Sequence, residues 1–175
     1  MKDYEFTLKF SLPNDNTNPE GFVDKLGEHG CDDALIGIGQ TGRISLSFTR
    51  EAASARNALL SAIRDVRKAI PGASLIEATP DLVGLTDVAD ILGFSRQNMR
   101  KIVLSSGGRF PPPVHEGKPS IWHLAKVLLW LQKNQNYNID DSLVDIAKTT
   151  MSFNITKELQ EIDPEFQNEI KSLIA

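Results

Sequence analysis

A single glycine constrains the middle of this chain more than any other residue. Gly93 separates Leu85-Thr86-Asp87-Val88-Ala89-Asp90-Ile91-Leu92 from Phe94-Ser95-Arg96-Gln97-Asn98-Met99-Arg100-Lys101-Ile102. In the first segment Val88, Ala89, Ile91 and Leu92 form a narrow apolar face, with small Ala89 where a second helix must approach. Thr86 is the expected N-cap, and Asp87 sits in the first turn, where the helix dipole favours an anion. Glycine reaches the left-handed conformation that ends a helix without steric cost. Phe94 then turns inward and Ser95 is placed to cap the next helix. In that helix Met99, Ile102 and Val103 supply a core face, and Arg96, Gln97, Asn98, Arg100 and Lys101 cannot all be buried. Two short helices around a tight glycine turn make a helix-turn-helix.

The chain beyond the second helix cannot stay helical. Pro111-Pro112-Pro113 lacks backbone donors and fixes an extended path. Val114 and Ile121 flank the turn His115-Glu116-Gly117-Lys118, which reads as a short hairpin, a wing. Helical periodicity is expected to resume with Trp122, Leu124, Ala125, Val127, Leu128 and Leu131.

Taken together, residues Leu85 to Leu131 resemble the winged helix-turn-helix of MerR-type regulators, and more so their excisionase or AlpA-like branch. The resemblance rests on Leu92-Gly93-Phe94-Ser95 at the turn, Phe110 to Val114 leading to the wing, and the helix from Trp122 through Trp130-Leu131. It covers roughly a quarter of the chain, with several elements in the same order. It implies major-groove reading of double-stranded DNA by the second helix. The wing departs from the pattern by carrying His115-Glu116-Gly117-Lys118 where relatives tend to have more Arg, which leaves its phosphate contact partly dependent on His115 protonation. Most small winged helices of this type carry no appended sheet domain, so the resemblance does not account for the rest of the chain.

The distribution of charge is uneven in the same sense. Residues 84–135 hold seven Lys and Arg against three acids, whereas residues 1–83 hold nine against twelve and residues 136–175 three against eight. The whole chain has a net charge of −4, so indiscriminate coating of nucleic acid is opposed by phosphate repulsion. A local basic module suits a site-specific binder. Arg96, Gln97, Asn98 and Arg100 are the candidates for base or phosphate contacts, since Arg suits guanine edges and Asn or Gln adenine edges. Ser95 caps their helix. Lys101, Lys118 and Ser120 are candidates for backbone contacts, His115 for the wing, and Thr86 for a phosphate at its helix N-terminus.

The first eighty residues follow a different pattern. Tyr4 to Leu12 alternates as a half-buried strand with Phe6, Leu8, Phe10 and Leu12 on one side. After the loop Pro13–Asn18, Pro19 opens a short helix through Phe22, Val23 and Leu26. Ala34–Ile38 and Ile44–Phe48 read as paired strands. A helix is expected from about Glu51 to Ile70, stopped by Pro71-Gly72, and Ser74–Ala78 is a last strand. The order βαββαβ is that of a ferredoxin-like domain, an arrangement that hosts many functions. Gly37-Ile38-Gly39-Gln40-Thr41-Gly42 has the glycine spacing of a dinucleotide-binding fingerprint. That motif needs a helix next, and Arg43 to Phe48 alternates as a strand, so a hairpin turn is expected instead.

Other chemistry is sparse. His29 and Cys31 lack a second pair at metal-ligand spacing, and His29 is expected at the surface near a helix end. Asp32-Asp33 and Asp140-Asp141 suit helix caps better than an acid/base pair. No nucleophile, base and orienting partner share a motif, so no enzyme activity, cofactor or metal is expected. The single Cys31 and a polar N-terminus without a signal-like apolar run suit a cytoplasmic protein, and no segment has the length of a membrane span. Towards the end, Asp140 or Asp141 is expected to cap a helix carrying Leu143, Val144, Ile146 and Ala147. Ile155, Leu159, Ile162, Phe166, Ile170 and Leu173 recur at steps of four and three, with Asp163-Pro164-Glu165 restarting a helix.

The sequence thus predicts an α+β chain: a ferredoxin-like domain over 1–80, a winged helix-turn-helix over 84–135, and a C-terminal helical extension over 136–175 for dimerisation or packing. The expected function is a sequence-specific DNA-binding transcriptional regulator acting as a homodimer. The alternative is an antitoxin or adaptor that binds a protein partner through its N- or C-terminal region and autoregulates through the DNA-binding module.

Overall fold

The computed structural model of the chain describes residues 1–15, 17–135 and 137–174. The expected loop Pro13–Asn18 and the expected boundary at 136 fall partly on Asn16 and Asn136, which lie outside these residues. The chain is mixed α and β, with a four-stranded antiparallel sheet in the order β2-β3-β1-β4. Its strands are β1 (Lys2–Ser11), β2 (Ala34–Gly37), β3 (Arg43–Ala52) and β4 (Ser74–Thr79). The period-two alternation of β1 and β3 decides which face is buried. Their register pairs Phe6 with Phe48, Leu8 with Leu46 and Phe10 with Ile44, so all six side chains enter one core. Phe6 and Phe48 stack at 5.2 Å between ring centroids. The other face carries Glu5, Thr7 and Lys9 beside Ser45, Ser47 and Thr49. Thr7 and Ser47 share a 3.0 Å hydroxyl hydrogen bond there, and Lys9 pairs with Glu77 at 2.8 Å.

The buried face is covered by a short helix α1 (Val23–Glu28), which follows a 3₁₀ turn at Pro19–Phe22, and by α2 (Ala55–Ala69). Ala55, Ala58, Ala62 and Ala69 bring α2 close to the sheet, and Leu59, Ile63 and Val66 fill the space between. α2 starts later than the expected Glu51. The ladder with β1 still holds Glu51 and Ala52 opposite Asp3 and Lys2, and the helix begins only after Ser54, whose hydroxyl accepts from the Asn57 N–H at 3.2 Å. The glycine-rich stretch after β2 is a hairpin turn leading into β3. Gly42 has φ +74°, and a Cβ there would collide with the Asp15 backbone.

A second core follows. β5 (Leu82–Val83) pairs with β6 (Trp122–His123), and three helices surround them: α3 (Leu85–Leu92), α4 (Arg96–Ser105) and α5 (Leu124–Gln135). This small sheet was not expected, and it corrects the reading of Trp122 as helical. The Leu124 N–H donates to the Asp81 carbonyl at 2.7 Å, so residues 122–123 are strand and α5 begins at Leu124. Met99, Leu124, Ala125, Val127, Leu128 and Leu131 are fully enclosed. Ile91, expected in this core, stays exposed and lines a shallow groove with Pro80, Leu143 and Ile146.

The two cores meet at α6 (Asp141–Leu159), which is capped by Asp140 through the Ser142 N–H at 2.9 Å. Ile146 belongs to the first core, Val144 and Ala147 to the second, and Leu143 touches both. The polar side of this junction is satisfied throughout. The Asp81 carboxylate, 1% exposed in its side chain, meets His123 Nδ1 at 2.6 Å and accepts from Asn154 Nδ2 at 2.8 Å. Asn154 also receives the Ala78 N–H at 3.0 Å and donates to the Ala78 carbonyl at 2.8 Å. A side-chain amide thereby occupies the outer edge of β4, the role a neighbouring strand would take. The Thr150 hydroxyl lies against the Pro80 carbonyl.

The last element, α7 (Pro164–Ile174), restarts at Asp163, whose carboxylate accepts from the Glu165 and Phe166 N–H groups at 3.0 Å each. None of its residues is buried. No described helix is long and apolar enough to cross a membrane.

Candidate nucleic-acid interface

The candidate residues lie on and beside the α3–α4 hairpin. α3 is capped by Gly84, whose N–H donates to the Asp87 carboxylate at 2.7 Å. Thr86 is therefore not the N-cap. It is an exposed residue one position inside the helix start, because the box closed by Asp87 fixes the first turn two residues earlier. Gly93 ends the helix at φ +66°. The Phe94 N–H returns to the Ala89 carbonyl at 2.7 Å, which turns the chain sharply into α4. Ser95 caps α4 by accepting from the Asn98 N–H at 3.1 Å. Both helices are too short to hold in water on their own. Burial of Val88, Ala89, Met99 and Ile102 fixes them.

The inward set of α4 determines what faces out. Met99 and Ile102 point to the core, and Arg96, Gln97, Arg100 and Lys101 stand exposed on the opposite side. Asn98 is half-buried at the flank. Among the described residues, none of these four is held by an ion pair or side-chain hydrogen bond. Two guanidinium groups, one amide and one ammonium are therefore free to pair with an outside partner. Such a set suits base edges and phosphates, with Arg able to make bidentate contacts. Leu104 belongs to the same outer face, 73% exposed. Periodicity did not single it out, because a leucine near the end of a helix reads as core. An apolar side chain among donors is what contact with a thymine methyl requires.

The segment expected to form a wing is closed by a single bridge. His115 and Ile121 form an antiparallel bridge, with the Val114 N–H on the Ile121 carbonyl at 2.7 Å and the Ile121 N–H on the His115 carbonyl at 3.0 Å. Trp122 Nε1 donates to the Pro111 carbonyl at 2.9 Å, and the Phe110 ring packs edge-on against Trp122 and Trp130 at 6.0 and 5.1 Å. His115 and Lys118 are exposed. The His115 ring lies over Gly117, where a Cβ would displace it. Ser120 fits the expected role least well: its hydroxyl donates to the Gly117 carbonyl at 3.1 Å and so serves the turn itself. Arg109, between α4 and the prolines, is a further exposed cation, with Nε on the Ser106 carbonyl at 3.0 Å.

The remaining chemistry-bearing residues serve the fold. His29 caps α1 at the surface, with Nδ1 2.8 Å from the Lys25 carbonyl oxygen. Asp33 is not a helix cap, as Asp32-Asp33 suggested. With Asp65 it flanks the buried Arg50 at 2.7 and 2.8 Å. Cys31 is buried beside this cluster, and burial pushes its thiol up to about 11. No group of three or more His, Cys, Asp or Glu among the described residues is arranged to hold a metal ion. No protein-family model, curated protein or solved structure matches the chain.

Proposed function

We propose that this protein is a sequence-specific DNA-binding regulator, with a ferredoxin-like N-terminal part and a winged helix-turn-helix, in which α4 reads the major groove. The observation that carries the reading is the exposed outer face of α4, whose side chains pair with no other described residue. Arg96, Gln97, Arg100 and Lys101 project from a helix whose position is fixed by a glycine turn and a packed core. Arg96, Gln97 and Arg100 address bases, Lys101 and Lys118 address phosphates, and the wing follows the backbone. The acidic remainder of the chain opposes nonspecific adhesion, which favours discrimination between sites over bulk affinity. The protein acts in the cytoplasm as a homodimer, so that two recognition helices meet successive half-sites.

The reading is tested by measuring binding to a selected duplex over a range of salt concentrations. Arg96→Ala is expected to cost about 1–3 kcal/mol on the preferred site and to relax base preference at one position. Lys118→Ala is expected to weaken all sequences evenly and to reduce the salt slope by about one. Unaltered binding by both variants contradicts the assignment.

A further inference from the structure

The helix α7 leaves an apolar face in water. Phe166, Leu173 and Ile174 are 57%, 85% and 77% exposed, and with Ile170 they fall on one side of the helix. Eleven residues are too few for a stable isolated helix, which becomes marginal below ~12–15 residues. Such a face calls for a cover. On the helix Glu165 and Glu169 accompany this face against Lys171 alone, with Asp163 at its cap.

The same chain holds a surface of the opposite character. Between α2 and α6 runs a groove of about 470 Å³, with Leu59, Leu60 and Phe153 among its lining residues and Arg56 and Lys148 beside them. It continues past Phe153 and Thr156 into a second hollow of about 490 Å³, lined by Arg67 and Lys157 and also by Glu158 and Glu161, so the cationic character is concentrated at the Arg56 and Lys148 end. Arg56, Leu60, Arg64 and Arg67 recur at steps of four, four and three, so they form one stripe along α2. Among the described residues, Arg56, Arg64, Arg67 and Lys148 make no ion pair. An apolar floor under unpaired cations matches an apolar helix flanked by carboxylates.

We propose that α7 of one copy lies in the α2–α6 groove of a second copy, and that the exchange is reciprocal about a two-fold axis. This deepens the homodimer reading above and rests on it. Glu165 and Glu169 face the Arg56–Arg67 stripe, and Phe166 and Ile170 cover Leu60 and Phe153. A two-fold axis repeats the contact, and the doubled area is how one short helix approaches the ~1,600 Å² total of a specific interface.

Charge reversal in the full chain tests this without touching either core. Mass measurement by light scattering is expected to give a dimer for the native chain. It is expected to give monomers for Arg56→Glu/Arg64→Glu and for Glu165→Lys/Glu169→Lys, each alone. Mixing these two variants is expected to restore a dimer, since each groove then meets a helix of opposite sign. Native dimers that persist in both variants overturn the exchange and leave the homodimer reading standing. A monomeric native chain, as when α7 folds into its own groove, overturns both.

Discussion

Arg50 takes a full positive charge into the first core, and its surroundings explain how that is tolerated. Nε and Nη2 hold both oxygens of Asp33 at 2.7 and 2.9 Å, and Nη1 reaches Asp65 at 2.8 Å and Ser61 at 3.0 Å. The Gly30 carbonyl accepts from Nη2 at 2.6 Å, and the guanidinium lies 4.8 Å from the Phe48 ring centroid. Burial alone would lower its pKa, but the hydrogen bonds it donates to two carboxylates reverse that and raise it. A planar fork is needed for this geometry, so Lys is a poor replacement. Arg50→Met leaves Asp33 without its cation and Asp65 with only the exposed Lys68 at 3.7 Å, and is expected to cost about 3–5 kcal/mol in urea unfolding. A loss under 1 kcal/mol would show the cluster to be solvent-screened. None of this was legible in the sequence. Asp33, Arg50 and Asp65 sit on a loop, a strand and a helix, and only the folded sheet brings them together.

At the scale of elements, what could be read and what could not follow one rule. β1, β3 and the stripe Leu124, Val127, Leu128, Leu131 were legible because a single face of each is buried and the period shows it. The α3–α4 turn was legible because Gly93 is required there by its positive φ. Gly93→Ala is expected to lower stability by about 1 kcal/mol or more, seen as a shifted thermal midpoint, since an L side chain is strained at φ +66°. The two-residue strands β5 and β6 were too short to carry a period, and so was the difference between cap positions Gly84 and Thr86. Asp140 gives a pH test of an element boundary. The Ser142 N–H holds its carboxyl below the ordinary 3.8, so the α6 cap contributes fully above that value and fades as pH falls through the lower folded pKa. Asp140→Asn, which keeps an acceptor, is expected to flatten this part of the acid-unfolding curve. An unchanged curve would show that the cap adds nothing.

Across the whole molecule, α6 packs against both the four-stranded sheet and the core beneath the α3–α4 hairpin, whose outward face is cationic. The sequence left α6 as an extension. Its packing into both cores depends on Leu143, Ile146 and Ala147, whose spacing serves two partners at once, and on Asn154, whose role at the β4 edge has no sequence signature. The outward face of α4 was legible by subtraction, because Met99 and Ile102 claim one side. Its consequence is the central claim, and selection of bound duplexes from a random pool tests it most directly. The native chain is expected to enrich a defined motif with two related half-sites, and Arg96→Ala to lose preference at one base pair of each half-site. A pool that stays unenriched at low salt, or a motif that survives removal of both Arg96 and Arg100, would contradict that claim.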